Sequence, residues 1–501
     1  MKQHGGAMMP FITIDKDSLF PIYRQLENQF RAAILGSALS RGTRLPASRV
    51  LAQDLGISRP TIVKVLENLT SEGYLEARQG SGTFVASDLP PHLPPPAKAS
   101  ERLPSAEPRE LCLSRIGDLF QAVTADLTKA TYRPFLPNHP AFDEFPFATW
   151  RKCWNRQTRL PRIDMMGYGD PTGYGPLKRC IAEYLAIHRG DKCDPEQIVI
   201  TPGAHAAFAL AALLLADPGD TVWFEDPGPL TVRSLFVSLG LKIGYVALDI
   251  EGMDVAAAAR DYPEARLAFT MPSRQHPLGV TLSLARRLAM LEWARRTGSW
   301  IIEDDYDSEF RYVGRPLPSM RSVGGSDRVI YVGTFSKALF PSIRVGYIVL
   351  PPALVGTFRN AIGLIARSVP ADIQAVLADF IGDGHFVTHL RRMRDLYAYR
   401  RTQFIAAARE TLSDLADVTS PDSGMNAIAW LNEGMSDTAI YLDAVGEGIH
   451  CYPLSDYAVR PSSRPALILG FTGVKQKDLR PGLNGFAAVI SREKKRGLTG
   501  L

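Results

Sequence analysis

The chain has 501 residues, 46% of them apolar, and a net charge of +5. At roughly 100–200 residues per domain this is material for two to four domains with a large buried core. So mild a positive balance does not by itself indicate a nucleic-acid partner, which leaves that argument to local charge. The five cysteines (Cys112, Cys153, Cys180, Cys193, Cys451) are scattered and form no C-x-x-C pair. That spacing argues against a disulfide framework or a zinc site and for a reducing compartment. The opening MKQHGGAMMPFITID lacks the apolar run of a signal peptide, and no stretch reaches the ~18 apolar residues of a membrane span. A soluble, cytoplasmic protein is expected.

Taken in chain order, Ile22, Leu26, Phe30 and Ile34 recur four apart, which predicts a helix from Pro21 with one apolar stripe. Ala47 to Leu55 suits a short helix ended by Gly56, a residue that tolerates φ > 0. Ser58 is a candidate N-cap for a helix from Arg59 to Ser71, which Gly73 stops. YLEA and GTFV then flank the turn Arg78-Gln79-Gly80-Ser81-Gly82, so residues 1–87 read as a winged helix-turn-helix. In such a domain the second helix of the turn enters the major groove by its N-terminal end, where Ser58, Arg59 and Thr61 lie. Between Arg41 and Lys64 there are five bases (Arg41, Arg44, Arg49, Arg59, Lys64) and one acid, Asp54. That local excess suits phosphate contact, the main source of affinity for DNA. Arg49 precedes the turn and Arg59 follows it, so both can share one DNA face, while Gly80 and Gly82 keep the wing tip thin. The plain alternative is a solvated basic surface on a small helical domain.

Residues 88–111, DLPPHLPPPAKASERLPSAEPREL, carry seven prolines. Proline fixes φ and removes a donor, so this segment is expected to be a semi-rigid spacer. From 112 to 501 strands alternate with helices, which predicts an α/β unit with a mainly parallel sheet. QIVIT runs into Pro202-Gly203-Ala204, and TVWFED, SWIIEDDYD and RVIYVGTFSK are strands with polar C-terminal ends. In open α/β sheets that is the ligand side.

The pairing of EDDYDSEFRY with GTFSKALFPSIRVGY matches the needs of pyridoxal-phosphate (PLP) chemistry. A lysine must form an imine with the aldehyde, and an acid must hold the pyridine nitrogen protonated. Cations and helix-terminal amides must hold the phosphate. Asp304 and Tyr306 are two apart at a strand end and so share a face; Asp304 is the expected pyridinium partner and Tyr306 the partner of the phenolic oxygen. Lys337, in T-F-S-K, is the expected imine lysine, its pKa lowered by burial. Arg344 is the expected phosphate clamp, with Thr334, Ser336 and the strand-to-helix turn at Gly203 and Ala204.

With these residues in view, Leu45 to Val85 resembles the GntR-type winged helix. Residues from about Phe135 onward resemble a fold-type I PLP aminotransferase, through GYGDPTGYGPLKRCIAEYL, DPGDTVWFEDPG, EDDYDSEFRYVGRPLP, GTFSKALFPSIRVGY and GHFVTHLRRMRDLY. The fusion is similar to the MocR family of regulators. The resemblance implies DNA contacts at Arg49, Arg59 and Thr61 and a wing contact at Gly80, with Val63 standing where some members carry another arginine. It implies an internal aldimine at Lys337, a homodimer in which Tyr168 reaches the partner's cofactor phosphate, and an amine or amino-acid effector sensed as an external aldimine. Gln275 and His276 stand where a polar residue often approaches the cofactor's phenolic oxygen; a turn histidine before Pro277 is the other reading of His276. The chain departs from the family pattern at Pro229, usually Tyr, and at S-R-Q-H-P, usually S-H-Q-F-P. It departs again near L-G-F, where the residues preceding that tripeptide are apolar and Arg464 and Arg460 lie further back. Arg464 is the candidate for an effector carboxylate. Three functions stay open: a PLP-dependent regulator, an active aminotransferase carrying a DNA-binding module, and a dimerisation scaffold without cofactor.

Overall fold

A computed structural model describes residues 2–4, 9, 11–15, 18, 20–78, 80–89, 113–122, 134–159, 163–314, 317–365, 367, 369–460 and 464–499. The chain forms two compact units, 1–111 and 112–501. Beyond Leu89 the expected proline-rich spacer lies outside the described residues. Among the described residues no helix is long and apolar enough to cross a membrane.

In the first unit β1 (Lys2–His4) pairs antiparallel with β2 (Thr13–Asp15), a hairpin that the sequence reading did not include. Helices α1 (Ile22–Leu35), α2 (Ser48–Leu55) and α3 (Arg59–Ser71) follow, then the antiparallel pair β3 (Leu75–Arg78) and β4 (Gly82–Val85). Leu26, Phe30 and Ile34 meet Leu51, Leu55, Ile62, Val65 and Leu69 in one core. Burial of each such side chain contributes about 1.5–3 kcal/mol. Gly56 ends α2 in the left-handed conformation, and the Ser58 side chain accepts from the Thr61 amide to cap α3. The first wing strand begins at Leu75 rather than Tyr74, because the Tyr74 amide is spent on Leu69 O at the end of α3.

The second unit begins with α4 (Arg115–Ala122), α5 (Phe147–Arg159) and α6 (Gly175–His188). The central run is β5 (Ile198–Thr201), α7 (Ala204–Leu215), β6 (Thr221–Asp226), α8 (Leu230–Ser238), β7 (Lys242–Asp249), β8 (Gly252–Met253), α9 (Val255–Asp261), β9 (Leu267–Thr270), α10 (Leu284–Thr297), β10 (Trp300–Asp305), β11 (Val329–Thr334) and β12 (Gly346–Val349). These strands make one eight-stranded sheet in the order β5-β12-β11-β10-β9-β6-β7-β8. It is parallel except for β12, which runs against both neighbours, and β8 at the edge.

Alternation along the strands builds two cores. Val199, Ile330, Val332 and Ile348 face α7 and α8, while Ile198, Ile200, Tyr331 and Tyr347 face the side covered by α6. The remainder comprises α11 (Val355–Ile365), α12 (Ala371–Gly382), α13 (His385–Leu412), β13 (Ala416–Val418), β14 (Asn426–Leu431), α14 (Asp437–Gly446), β15 (Tyr452–Pro453), β16 (Ala466–Gly470) and α15 (Gln476–Thr499). Its four strands form an antiparallel sheet, β13-β14-β16-β15, that shares a third core with α13 and α15. The mainly parallel sheet expected for this unit is present, and β5, β10 and β11 deliver their C-terminal ends to one cleft.

Candidate functional site

A cleft of about 260 Å³ opens at those strand ends, lined by Lys337, Asp304, Tyr306, Arg344, Thr334, Ser336, Gly203, Ala204 and His276. Nine of the eleven cofactor residues expected from sequence thus meet in one place. Asp304 is the penultimate residue of β10 and is 8% exposed, with Oδ1 buried and without a hydrogen-bond partner among the described residues. Burial first, then the neighbouring charges of Asp305 and Asp307, pushes its carboxyl well above the usual carboxylate range. A buried carboxylate in that position needs a cation, and a protonated ring nitrogen supplies one. Lys337 follows β11; burial lowers its pKa, against the pull of Asp307 and Asp304. Its Nζ donates to Asn138 O at 3.3 Å. An amine held this way is closer to the neutral, nucleophilic form than a surface lysine is.

The phosphate end is built from backbone. Gly203 precedes α7, whose first amides are free of intrahelical partners and carry the positive end of the helix dipole. A Cβ on Gly203 would stand 3.8 Å from the guanidinium carbon of Arg344, so that cation lies against the helix terminus. Arg344 itself holds φ +50°, a left-handed conformation uncommon outside glycine and concentrated at functional sites. Thr334 Oγ1 and Ser336 Oγ are 3.1 Å apart on the same rim. Gly346 fits here because a Cβ would sit 2.8 Å from the Gly203 carbonyl carbon and 3.0 Å from the Ala204 nitrogen. A phosphate, a ring nitrogen and an aldehyde therefore each have a matching partner, and the residues fit PLP.

Three residues absent from the sequence reading belong to the site. Arg274 donates to Tyr306 Oη at 2.9 Å and to Asp307 Oδ2 at 3.3 Å. Tyr306 Oη thereby accepts from Arg274, with the Asp307 carboxylate also within reach of its hydroxyl; burial holds that phenol far above its ordinary pKa. His205, in the first turn of α7, lines the cleft and bonds to Thr231 Oγ1 at 3.0 Å. Asn138 lines it from a segment distant in sequence and is tied to Asn426. Adjacency to the Gly203-Ala204 turn was a signal for His205, and the arginine in S-R-Q-H-P was one for Arg274; nothing local marks Asn138.

Two expectations are corrected. Gln275 does not face the cleft: its Nε2 donates to Pro227 O and His276 O, and its Oε1 accepts from Leu278 N, so it braces its own loop. Arg464 does not line the cleft. Its Nε donates to Leu431 O at 2.6 Å and its Nη2 to Asp417 Oδ2 at 2.7 Å, which fixes it to the rim of the four-stranded sheet. His276 does reach the cleft, edge-on to Tyr306 and Tyr457, with Nδ1 buried and without a partner. Burial lowers its pKa to about 3, so it is neutral. Tyr168 is 82% exposed and away from the cleft of its own chain. It lies beneath the Arg367 guanidinium at 4.7 Å, beside a groove of about 760 Å³ that includes Trp154, Met165 and Met166.

In the first unit Ser58 caps α3, and its Oγ and Thr61 Oγ1 are 2.7 Å apart. Arg49 and Arg59 are exposed, and neither has an ion-pair partner among the described residues. Gly80 tips the wing at φ +73° with nothing within 4 Å of a Cβ added there.

A winged helix joined to a type I PLP-transferase fold is the class of protein these two regions define. Residues 22–85 match the bacterial regulatory proteins of the gntR family, and residues 141–467 match aminotransferase class I and II. The chain is 39% identical to the probable rhizopine catabolism regulatory protein MocR of Rhizobium meliloti, over 96% of each chain. It is 29% identical to the pyridoxine biosynthesis transcriptional regulator PdxR of Corynebacterium glutamicum, over 91% of this chain and 93% of that one. Among solved structures, the kynurenine aminotransferase of Pyrococcus horikoshii superposes with a TM-score of 0.66 at 25% identity, over 77% of this chain and 96% of that one. The α-aminoadipate aminotransferase LysN of Thermus thermophilus shares the fold, with a TM-score of 0.70. The chain belongs to the MocR family of DNA-binding transcription regulators.

Proposed function

We propose that this regulator binds PLP through Lys337 and changes its grip on DNA when an amine or amino acid enters the same cleft. The observation that carries the reading is the buried, partnerless Oδ1 of Asp304 set in one cleft with Lys337 and Arg344. When bound, the cofactor supplies an electrophilic carbon for an incoming amine. The chain's residues do the rest. Asp304 holds the ring nitrogen's proton, Tyr306 donates to the phenolic oxygen, and Arg344 with the α7 amides fixes the phosphate. Lys337, whenever it is not joined to the cofactor, would be free to take up a proton, which would change the charge balance around Asp304 and Asp307. For that change to reach DNA, the effector must bind the two conformations of the protein with different affinity.

In this reading residues 1–87 grip an operator through Arg49, Ser58, Arg59, Thr61 and Gly80. Residues 88–111 space the units, and residues 112–501 hold the cofactor. The protein works in the cytoplasm as a homodimer. Ile163, Met166, Tyr168 and Leu364 are exposed by 78–85%, an apolar surface of the kind a second copy covers, and Tyr168 would then point at the partner's site. Turnover as an aminotransferase is the second reading, favoured by the completeness of the Lys337 cleft.

A mobility-shift titration on the DNA upstream of the chain's own gene, with PLP and a panel of amino compounds, tests the proposal. Retardation that depends on PLP and changes with one amine supports it. Retardation indifferent to both sinks the sensor reading, and rapid amino transfer to keto acids favours the enzyme.

A further inference from the structure

A second cavity, of about 210 Å³, lies in the second unit between the end of α6, the segment after β10 and the first turns of α13. Four arginines line it, Arg189, Arg311, Arg391 and Arg394, of which Arg189 also donates to Leu317 O and Ser273 Oγ. Arg391 and Arg394 come from one face of α13, where residues three apart are neighbours. Arg189 is 5% exposed, yet its Nε is buried without a hydrogen-bond partner. The Nε of Arg311 is buried and partnerless as well. Two arginines beside one cavity thus each keep an Nε shut off from solvent and unpaired, an unusual cost, since buried donors are as a rule paired.

The local charge is also unbalanced. Arg189 is paired with Asp305 at 2.8 Å, but Arg311, Arg391 and Arg394 have no carboxylate partner among the described residues. The one acid on the cavity is Glu309, whose carboxyl is raised, mainly by burial and then by Asp305, so it offsets less positive charge than an ordinary glutamate. Its backbone oxygen, not its carboxylate, accepts from Arg394 Nε at 3.2 Å. His188 adds an imidazole whose pKa is lowered by burial and by Arg394, hence a neutral group.

We propose that this cavity is a binding site for a phosphate-class oxyanion, separate from the Lys337 cleft. The donors come from three different chain segments, which suits a tetrahedral ion with several acceptor oxygens better than a planar carboxylate with two. Arginine forks and phosphate oxygens match in geometry and charge. The cavity is too small for a polymer backbone, so the ligand is inorganic phosphate or the head of a small phosphomonoester. Arg189 joins the cavity to Asp305, the neighbour of Asp304, so an ion here sits close in the network to the ring-holding carboxylate.

The test uses the full chain saturated with PLP, so that the cup at Arg344 is filled. Calorimetric titrations with inorganic phosphate, glycerol 3-phosphate and succinate are run at matched ionic strength. Phosphate binding that weakens about tenfold in Arg391→Ser and in Arg394→Gln, both at exposed positions, and persists in Arg344→Ala supports the proposal. Equal affinity for inorganic phosphate and the monoester points to an open mouth, and preference for the inorganic ion to an enclosed one; both support it. Loss of binding in Arg344→Ala alone means that phosphate had entered an unfilled cofactor cup, and this overturns the proposal. So do tighter binding of succinate and the absence of phosphate heat in the parent protein, which would leave a cavity of water.

Discussion

The two functional regions keep their charges in opposite ways. On the winged helix, Arg49 and Arg59 stand exposed, with no ion-pair partner among the described residues, and holding them there costs almost nothing. In the Lys337 cleft Asp304 is buried and Lys337 half-buried, with Arg344 exposed at the rim, and Asp304 and Lys337 are each shifted away from their ionised forms. The first region can act on any polyanion, through counterion release, and gains specificity by shape. The second is held in an unfavourable state that only a ligand of matching charge and form relieves. A regulator needs both: a surface that samples DNA quickly, and a cavity that answers to few molecules.

Four experiments press on that contrast. Lys337→Ala should have the largest effect, complete loss of the visible absorbance that PLP gives the parent protein, with DNA affinity retained; an unchanged band would mean that another lysine holds the cofactor. Salt should divide the two regions next. For six to ten phosphate contacts, operator affinity falls by roughly 10³–10⁵ between about 50 and 200 mM salt, while PLP affinity should barely move. Arg59→Ala should weaken operator binding by about 1–3 kcal/mol and leave PLP uptake normal, as gel shift and absorbance can establish.

The smallest effect, and the sharpest for the buried region, concerns Asp304→Asn in cofactor-free protein. A carboxyl whose folded pKa is raised binds more protons folded than unfolded, so its cost is absent below the ordinary carboxylate range and grows as pH rises toward the raised value. The amide removes that cost. Cofactor-free Asp304→Asn should therefore be more stable than the parent near neutral pH, by about 1 kcal/mol, and equal to it in acid. Thermal unfolding across pH reads this directly. A variant less stable than the parent at neutral pH would show that Asp304 is not a buried charge awaiting a cation.

Local patterns were enough for the winged helix. Capping by Ser58, the glycine stop at Gly56 and the four-residue spacing of α1 act within a few residues, and each element lies within a residue or two of its expected place. The cleft was legible for a related reason, since Asp304, Tyr306, Lys337 and Arg344 sit on strand ends that the fold gathers. What escaped depended on distant chain. Asn138 meets Lys337 across 199 residues. Arg464 looked free in sequence because its partners, Leu431 and Asp417, lie 33 and 47 residues away. Gln275 looked like a ligand because nothing in its own turn revealed that three hydrogen bonds already claimed its amide.

The contact at Gly346 has a consequence for reading other sequences. A single methyl there would collide with the backbone of the Gly203-Ala204 turn, so the position tolerates hydrogen alone for as long as that turn keeps its place. A larger residue would have to push that turn aside and reshape the cleft it lines. One letter, opposite Gly203, then serves as a record of whether a lineage still holds this wall of the cleft in place.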